Sequence, residues 1–271
     1  MPELPEVETT RRGLRRHLRG RQINAVRVHD DRLRWPVTPG LDELLRGQQV
    51  RSIERRATYL LLRCTDGTLL VHLGMSGTLR VVPQSTALIP HDHVELHLDS
   101  GSALRFNDPR RFGCFLYTTE APRRHKLLRE LAPEPLTMRF DAAYLHRVTR
   151  GRRVAIKTLL LNGRLVTGVG NIYASEALFH ARMRPQRGAR TLSLEQCGEL
   201  ATAIRRVLRS AIRAGGTTLR DYVSADGTPG YFKQKLYVYE RAKLPCRRCR
   251  TPIRQLTQGQ RSTYYCPQCQ K

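Results

Sequence analysis

Acidic residues are scarce in this chain. Its 271 residues carry 23 Asp plus Glu against 48 Lys plus Arg, a formal net charge of +25. The excess is spread along the chain and no charged tail holds it, so the folded body itself must be basic. A body of this kind faces a polyanion, and nucleic acid is the first expectation. The plainer alternative is a basic protein with no specific partner. No apolar run approaches the roughly 18 residues of a spanning helix, so no membrane partner is expected. The N-terminus lacks the basic-then-apolar pattern of a secretory leader, so the expected compartment is the cytoplasm. Its seven cysteines are then mostly reduced. No internal repeat is present. The length is too great for one small core, and two domains are more natural than one.

The hydrophobic pattern changes character along the chain. Met1–Arg19 reads as a helix. Pro5 suits its first turn, Glu3, Glu6 and Glu8 favour its positive end, and Arg15, Arg16 and Arg19 favour the other. Val7, Leu14 and Leu18 mark one apolar face. From Gln22 to about Thr118 short apolar runs alternate with turn signals: Ile23–Val28, Thr58–Arg63, Thr68–Leu73, Gly77–Val82, Val94–Leu98 and Ala103–Phe106. This is the pattern of an antiparallel sandwich or barrel, with Leu41–Leu45 as a short helix inside it. The proline- and charge-rich stretch Pro122–Pro135 ends in a linker. Helical patterns follow at Ala142–Val148, Ile156–Leu161, Ile172–Ala181 and Ser193–Ala214, with stops at Asn162-Gly163 and Gly215-Gly216. Thr217–Tyr231 has glycines and no periodicity, which predicts a loop.

Two motifs carry chemistry. Cys246 and Cys249 are two residues apart, as are Cys266 and Cys269, and sixteen residues lie between the pairs. This is the spacing of a closed four-thiolate zinc site, with one structural Zn2+ per chain. Two disulfides are the alternative, disfavoured in a reducing compartment. Ile253–Leu256 and Ser262–Tyr265 read as strands of a hairpin that would present Arg261 outward. Cys64, Cys114 and Cys197 stand in apolar surroundings and read as buried, inert thiols.

The other motif is the N-terminus. Met1 precedes Pro2, and a small second residue permits removal of the methionine. Proline then carries a free secondary amine. An α-amine has a pKa near 8 against about 10.4 for lysine, so much more of it is neutral and nucleophilic at pH 7. The positive end of the following helix lowers it further. Glu3 and, one turn on, Glu6 are carboxylates able to move protons beside it. Taken alone, Pro-Glu-Leu-Pro-Glu also reads as an ordinary helix start.

Pro2-Glu3-Leu4-Pro5-Glu6-Val7-Glu8-Thr9 resembles the opening of the formamidopyrimidine-DNA glycosylases. So, in order, do His72–Gly77, His91-Asp92-His93, Asp108–Gly113, Gly168–Ala174 and the terminal cysteine cluster. The related endonuclease VIII enzymes usually have glycine where Leu4 stands and match less well. The resemblance implies an α+β chain: residues 1–133 a catalytic β-sandwich domain, 134–235 a helix-two-turn-helix domain with a lesion-capping loop, and 236–271 a zinc finger. It implies a monomer that binds damaged double-stranded DNA in a basic cleft, associated with the bacterial nucleoid. It implies base-excision repair of 8-oxoguanine and formamidopyrimidines by a glycosylase/AP lyase, through a Schiff base on Pro2 followed by β,δ-elimination. Glu3 would assist sugar-ring opening and Glu6 would be a second active-site carboxylate. Met75, Arg110 and Phe112 would fill the hole left by a flipped nucleotide, although Met75 and Phe112 read equally well as core. His91, Arg110, Lys157, Asn171 and Arg261 would contact DNA, the turn before Asn171 offering a helix N-terminus to a phosphate. Rival readings are an endonuclease VIII-like enzyme and a catalytically silent DNA-binding protein.

One position departs from the family. Thr58 stands where the family usually has lysine. The loss of that charge is expected to weaken excision of 8-oxoguanine. If Thr58 continues the strand, Arg56 shares its face and replaces part of the contact, whereas Arg55 points away.

Overall fold

The computed structural model describes residues 2–216 and 235–271. Met1 and the expected loop Thr217–Tyr231 lie outside the described residues. The described residues divide into two compact units, 2–129 with 214–216 and 130–213 with 235–271.

The first unit opens with helix α1 (Leu4–Leu18), which has Glu3 as its N-cap and Pro5 in its first turn. The helix starts later than Met1 because Glu3 is still extended, at φ −100°. Val7, Leu14 and Leu18 are all buried, so the apolar face seen in the sequence is the packed face. Two antiparallel four-stranded sheets follow. One has the order β1 (Ile23–Val28), β6 (Asp92–Leu98), β7 (Ser102–Asn107), β5 (Thr78–Pro83). The other has the order β2 (Ser52–Arg56), β3 (Tyr59–Arg63), β4 (Thr68–His72), β8 (Cys114–Thr118). Their core draws on Ile23, Leu60, Leu62, Val71, Leu96, Leu104, Phe106 and Phe115, with α1 and the short helix α2 (Leu41–Leu45) packed in. Burial of this apolar surface is the main stabilising contribution, about 25 cal/mol per Å² removed from water.

The six apolar runs each became a strand, within one or two residues. The edge strands β2 and β8 escaped the sequence reading. Ser-Ile-Glu-Arg-Arg buries only Ile53, so it carries no alternating pattern, and its pairing with β3 alone makes it a strand.

The second unit contains α3 (Ala142–Thr149), α4 (Ile156–Leu160), α5 (Asn171–His180) and α6 (Leu194–Arg213), and a hairpin of β9 (Arg254–Gln258) and β10 (Arg261–Tyr265). Helix α5 is buried from Ile172 to Phe179, and α6 packs against both α3 and α5. Gly215 and Gly216 adopt φ +77° and +83°, the left-handed geometry that stops α6. Cys64, Cys114 and Cys197 are buried, as expected. Burial pushes their thiols up, to about 11 for Cys64 and about 12 for Cys114, which keeps them protonated and unreactive. No helix among the described residues is long and apolar enough to cross a membrane.

Candidate functional site

At the start of the first unit, Pro2, Glu3 and Glu6 are all buried. Glu3 and Glu6 form a capping box, in which the Glu3 backbone N–H donates to Glu6 Oε2 at 2.9 Å. Both carboxylates therefore stand at the positive end of α1, next to Pro2, where the helix dipole favours their charge. Glu6 thus has a structural task as well as the expected chemical one. A side chain at position 216 would come within 3.2 Å of Glu6 Oε1, so glycine there leaves the carboxylate room. Glu8 belongs to the scaffold. Against the cost of burial, Arg11, Arg12 and Arg55 hold its carboxyl below the usual range.

Met75, Arg110 and Phe112 lie on two loops of the same unit, and all three are exposed. The reading of Met75 and Phe112 as core is thereby overturned. The Arg110 guanidinium lies over the Phe112 ring at 5.0 Å. The loops are held backbone to backbone. Gly74 has φ +60°, and a Cβ there would fall 2.6 Å from Phe112 C and Gly113 N, so only glycine fits. Asp108 is fully buried and ties both loops together. Its Oδ2 accepts the Gly113 N–H at 2.8 Å and its Oδ1 accepts the Ser76 hydroxyl at 3.4 Å. Its carbonyl accepts from His93 Nε2 at 2.9 Å. His91 is exposed, in the left-handed conformation at φ +71°, and its carbonyl accepts the Asp108 N–H at 3.1 Å.

Thr58 requires a correction. It is not a strand residue: Ala57 and Thr58 form the two-residue turn between β2 and β3, with Arg56 paired to Tyr59 across it. Ala57 has φ +55°. The alternation of faces does not run through a turn, so Arg56 and Thr58 do not share a strand face. Arg55 is held by Glu8 Oε2 at 3.3 Å and the Ala57 carbonyl at 2.8 Å. Thr58 Oγ1 lies 3.0 Å from His72 Nε2.

In the second unit Lys157 also differs from expectation. It is 1% exposed, and its ammonium donates to Asn171 Oδ1 (2.6 Å), Thr263 Oγ1 (2.6 Å) and the Ser262 carbonyl (3.1 Å). An ammonium has three N–H donors, and three neutral oxygens take them. The expectation of a direct Lys157–phosphate contact is revised to that of an internal brace. Asn171, the first residue of α5, completes it by donating from Nδ2 to the Ser262 carbonyl at 3.0 Å. Arg261, the next residue back along β10, is exposed. Sequence reading missed Ser262 and Thr263, which carry no signal beyond lying in a strand. It also missed Glu176, fully buried on α5. Glu176 accepts the backbone N–H groups of Tyr237, Val238 and Tyr239 at 2.9 Å each and fixes the segment leading to the cysteine hairpin.

The ligand sulfurs of Cys246, Cys249, Cys266 and Cys269 all lie within 4.8 Å of one another. Cys246 and Cys269 are 3.9 Å apart and Cys249 and Cys266 3.4 Å. Four thiolates at about 2.3 Å from one ion stand about 3.8 Å apart, so the set fits one tetrahedral zinc and not two disulfides.

Three family models match, in chain order: the formamidopyrimidine-DNA glycosylase N-terminal domain at 1–115, the formamidopyrimidine-DNA glycosylase H2TH domain at 131–223, and a zinc finger found in FPG and IleRS at 243–271. The formamidopyrimidine-DNA glycosylase of Thioalkalivibrio sulfidiphilus is 56% identical over 271 residues, all of both chains. The chain belongs to the formamidopyrimidine-DNA glycosylase family. It is therefore a DNA glycosylase/AP lyase of base-excision repair, with one structural zinc on its four paired cysteines. The corresponding enzyme of Methylococcus capsulatus is 53% identical, again over all of both chains. Among solved structures, the Thermus thermophilus MutM (Fpg) protein superposes with a TM-score of 0.89 at 40% identity, covering 99% of this chain and 98% of that one. The Lactococcus lactis Fpg in complex with abasic-site DNA gives 0.91 at 30% identity, covering 99% of each chain.

Proposed function

We propose that this chain removes oxidised purines, 8-oxoguanine and formamidopyrimidines, from double-stranded DNA and then cleaves the strand at the abasic site. The observation that carries the reading is the cluster of Pro2, Glu3 and Glu6 at the positive end of α1. With Met1 removed, the Pro2 nitrogen bonds C1′ of the damaged nucleotide, and the bond from C1′ to the base breaks. The base leaves with the electrons of its bond and is protonated by water, Glu3 takes the proton that the Pro2 nitrogen loses and passes it to the ring oxygen, and the opened sugar is held as an iminium on Pro2. Loss of a C2′ proton expels the 3′ phosphate, a second elimination expels the 5′ phosphate, and hydrolysis frees Pro2. Met75, Phe112 and Arg110 enter the stack where the nucleotide leaves, offsetting part of the unstacking cost. His91, Asn171 and Arg261 meet phosphates, and Lys157 supports Asn171 from inside. In this reading the division of labour is a catalytic domain over 1–133, a helical domain over 134–235 and a zinc finger over 236–271.

A second reading, excision of oxidised pyrimidines, has one observation in its favour: a Lactococcus lactis Fpg relative has been solved with DNA containing an oxidised pyrimidine. A nicking assay tests both. Duplexes with 8-oxoguanine opposite cytosine should be cut, and undamaged duplexes left whole. Faster cutting of an oxidised pyrimidine would favour the second reading, and no lesion-dependent cutting at all would reject both.

A further inference from the structure

The function of Thr58 is left open by the loss of the Arg56 argument, and its surroundings supply one. His72 uses both ring nitrogens. Nδ1 accepts the Gly74 N–H at 3.0 Å, and Nε2 meets Thr58 Oγ1 at 3.0 Å. A nitrogen that accepts an N–H carries no proton, so the ring's proton is on Nε2, which donates to the Thr58 hydroxyl oxygen. The ring is neutral, because burial and the nearby Arg34 push its pKa down to about 4. Its face rests near Tyr59, ring centre to ring centre 4.7 Å. Gly74 is the left-handed residue clamped against Phe112 and Gly113, and Met75 follows it directly.

We propose that Thr58 is a positioning residue: by accepting from His72 it fixes the imidazole tautomer that holds Gly74, and through Gly74 it sets the place of Met75. Chemistry at position 58 then matters through acceptor capacity and not through charge. A hydroxyl accepts. A valine leaves the Nε2 proton unpaired.

The proposal rests on the reading that Met75 enters the duplex, and the test separates the two. Single-turnover excision of 8-oxoguanine is measured for the native enzyme and for Met75→Ala, Thr58→Val and Thr58→Ser. A 2-aminopurine beside the lesion reports unstacking, and nitrogen NMR reports the His72 tautomer in the free protein. The expected native tautomer has its proton on Nε2. Met75→Ala and Thr58→Val should both slow excision and weaken the unstacking signal, Thr58→Val by about three- to tenfold, the effect of one lost hydrogen bond. Thr58→Ser should restore both. Slowed excision in Met75→Ala with Thr58→Val equal to native overturns the positioning role alone. A silent Met75→Ala overturns the wedge reading and the proposal with it. A native proton on Nδ1 also overturns the proposal.

Discussion

In the first unit the motif loops send their side chains outward and bury what braces them. Met75, Arg110, Phe112 and His91 are exposed, while Asp108 is fully buried beneath them. In the second unit the lysine expected to contact DNA is itself the brace. Lys157 is buried and donates to neutral oxygens, and the exposed cation is Arg261 on β10, next in sequence to the acceptor Ser262. Both arrangements satisfy the same rule, that a buried polar group needs its partners. They differ in which residue touches solvent, and an expected DNA-contact role read from the sequence does not say which.

The comparison can be broken in several places. The largest effect is expected at the buried carboxylate beside Pro2. Glu3→Gln cannot give its proton, so base excision should fall by about a hundredfold or more, with DNA affinity kept. Equal losses of affinity and excision would make Glu3 a scaffold residue. Next is the metal. Cys249→Ser or chelation should release the β9–β10 hairpin, which has too little core to hold alone. DNA binding should be lost while the first unit's unfolding transition stays in place, and elemental analysis of the native protein should give about one zinc. Full binding by metal-free protein would contradict this.

The sharpest contrast is between the two cations of the second unit. Arg261→Ala removes an exposed charge, and the slope of log affinity against log salt should flatten by about one phosphate contact. Lys157→Ala takes a donor from Asn171 Oδ1 and Thr263 Oγ1, each a cost of about 1–3 kcal/mol if unrelieved, while the Ser262 carbonyl keeps the Asn171 Nδ2 donor. It should therefore lower the second unit's thermal stability as well as affinity, whereas Arg261→Ala should not. If Lys157→Ala leaves stability unchanged, the brace is wrong.

The smallest effect is in pH. His72 in the first unit and His180 in the second are both pushed down to about 4, by burial first and then by nearby arginines. Arg34 faces His72, with Tyr59 and Cys114 close by; Arg248 and Arg206 face His180. Their ordinary value is 6.5, so the unfolded chain takes up protons first as pH falls. The stability they contribute is present above about pH 6.5 and is lost progressively toward pH 4. His72→Gln should flatten that decline for the first unit and His180→Gln for the second, read by thermal melts across this range.

Much of this was legible in the chain itself. Short apolar runs between turn signals became strands, the cysteine spacing became one cluster, and Pro5 between Glu3 and Glu6 marked the helix start. What stayed hidden depended on contacts far apart in sequence. Ser52–Arg56 is a strand only because β3 pairs with it. Thr58 reads as the first residue of a strand, but the left-handed Ala57 turns the chain there, and alanine gives no turn signal. Lys157 looked like any DNA-binding cation because two of its three acceptors lie 105 and 106 residues away. Asp108 and His72 stood inside quoted motifs, yet their bracing role needed the distances.

The central claim is that the chemistry starts at the N-terminal amine. Borohydride added during turnover on an 8-oxoguanine duplex should trap one covalent protein–DNA adduct, and peptide mapping should place it on Pro2. A preparation retaining Met1, or any residue ahead of Pro2, should give no adduct. An adduct on a lysine, or undiminished trapping with Met1 in place, would contradict the account.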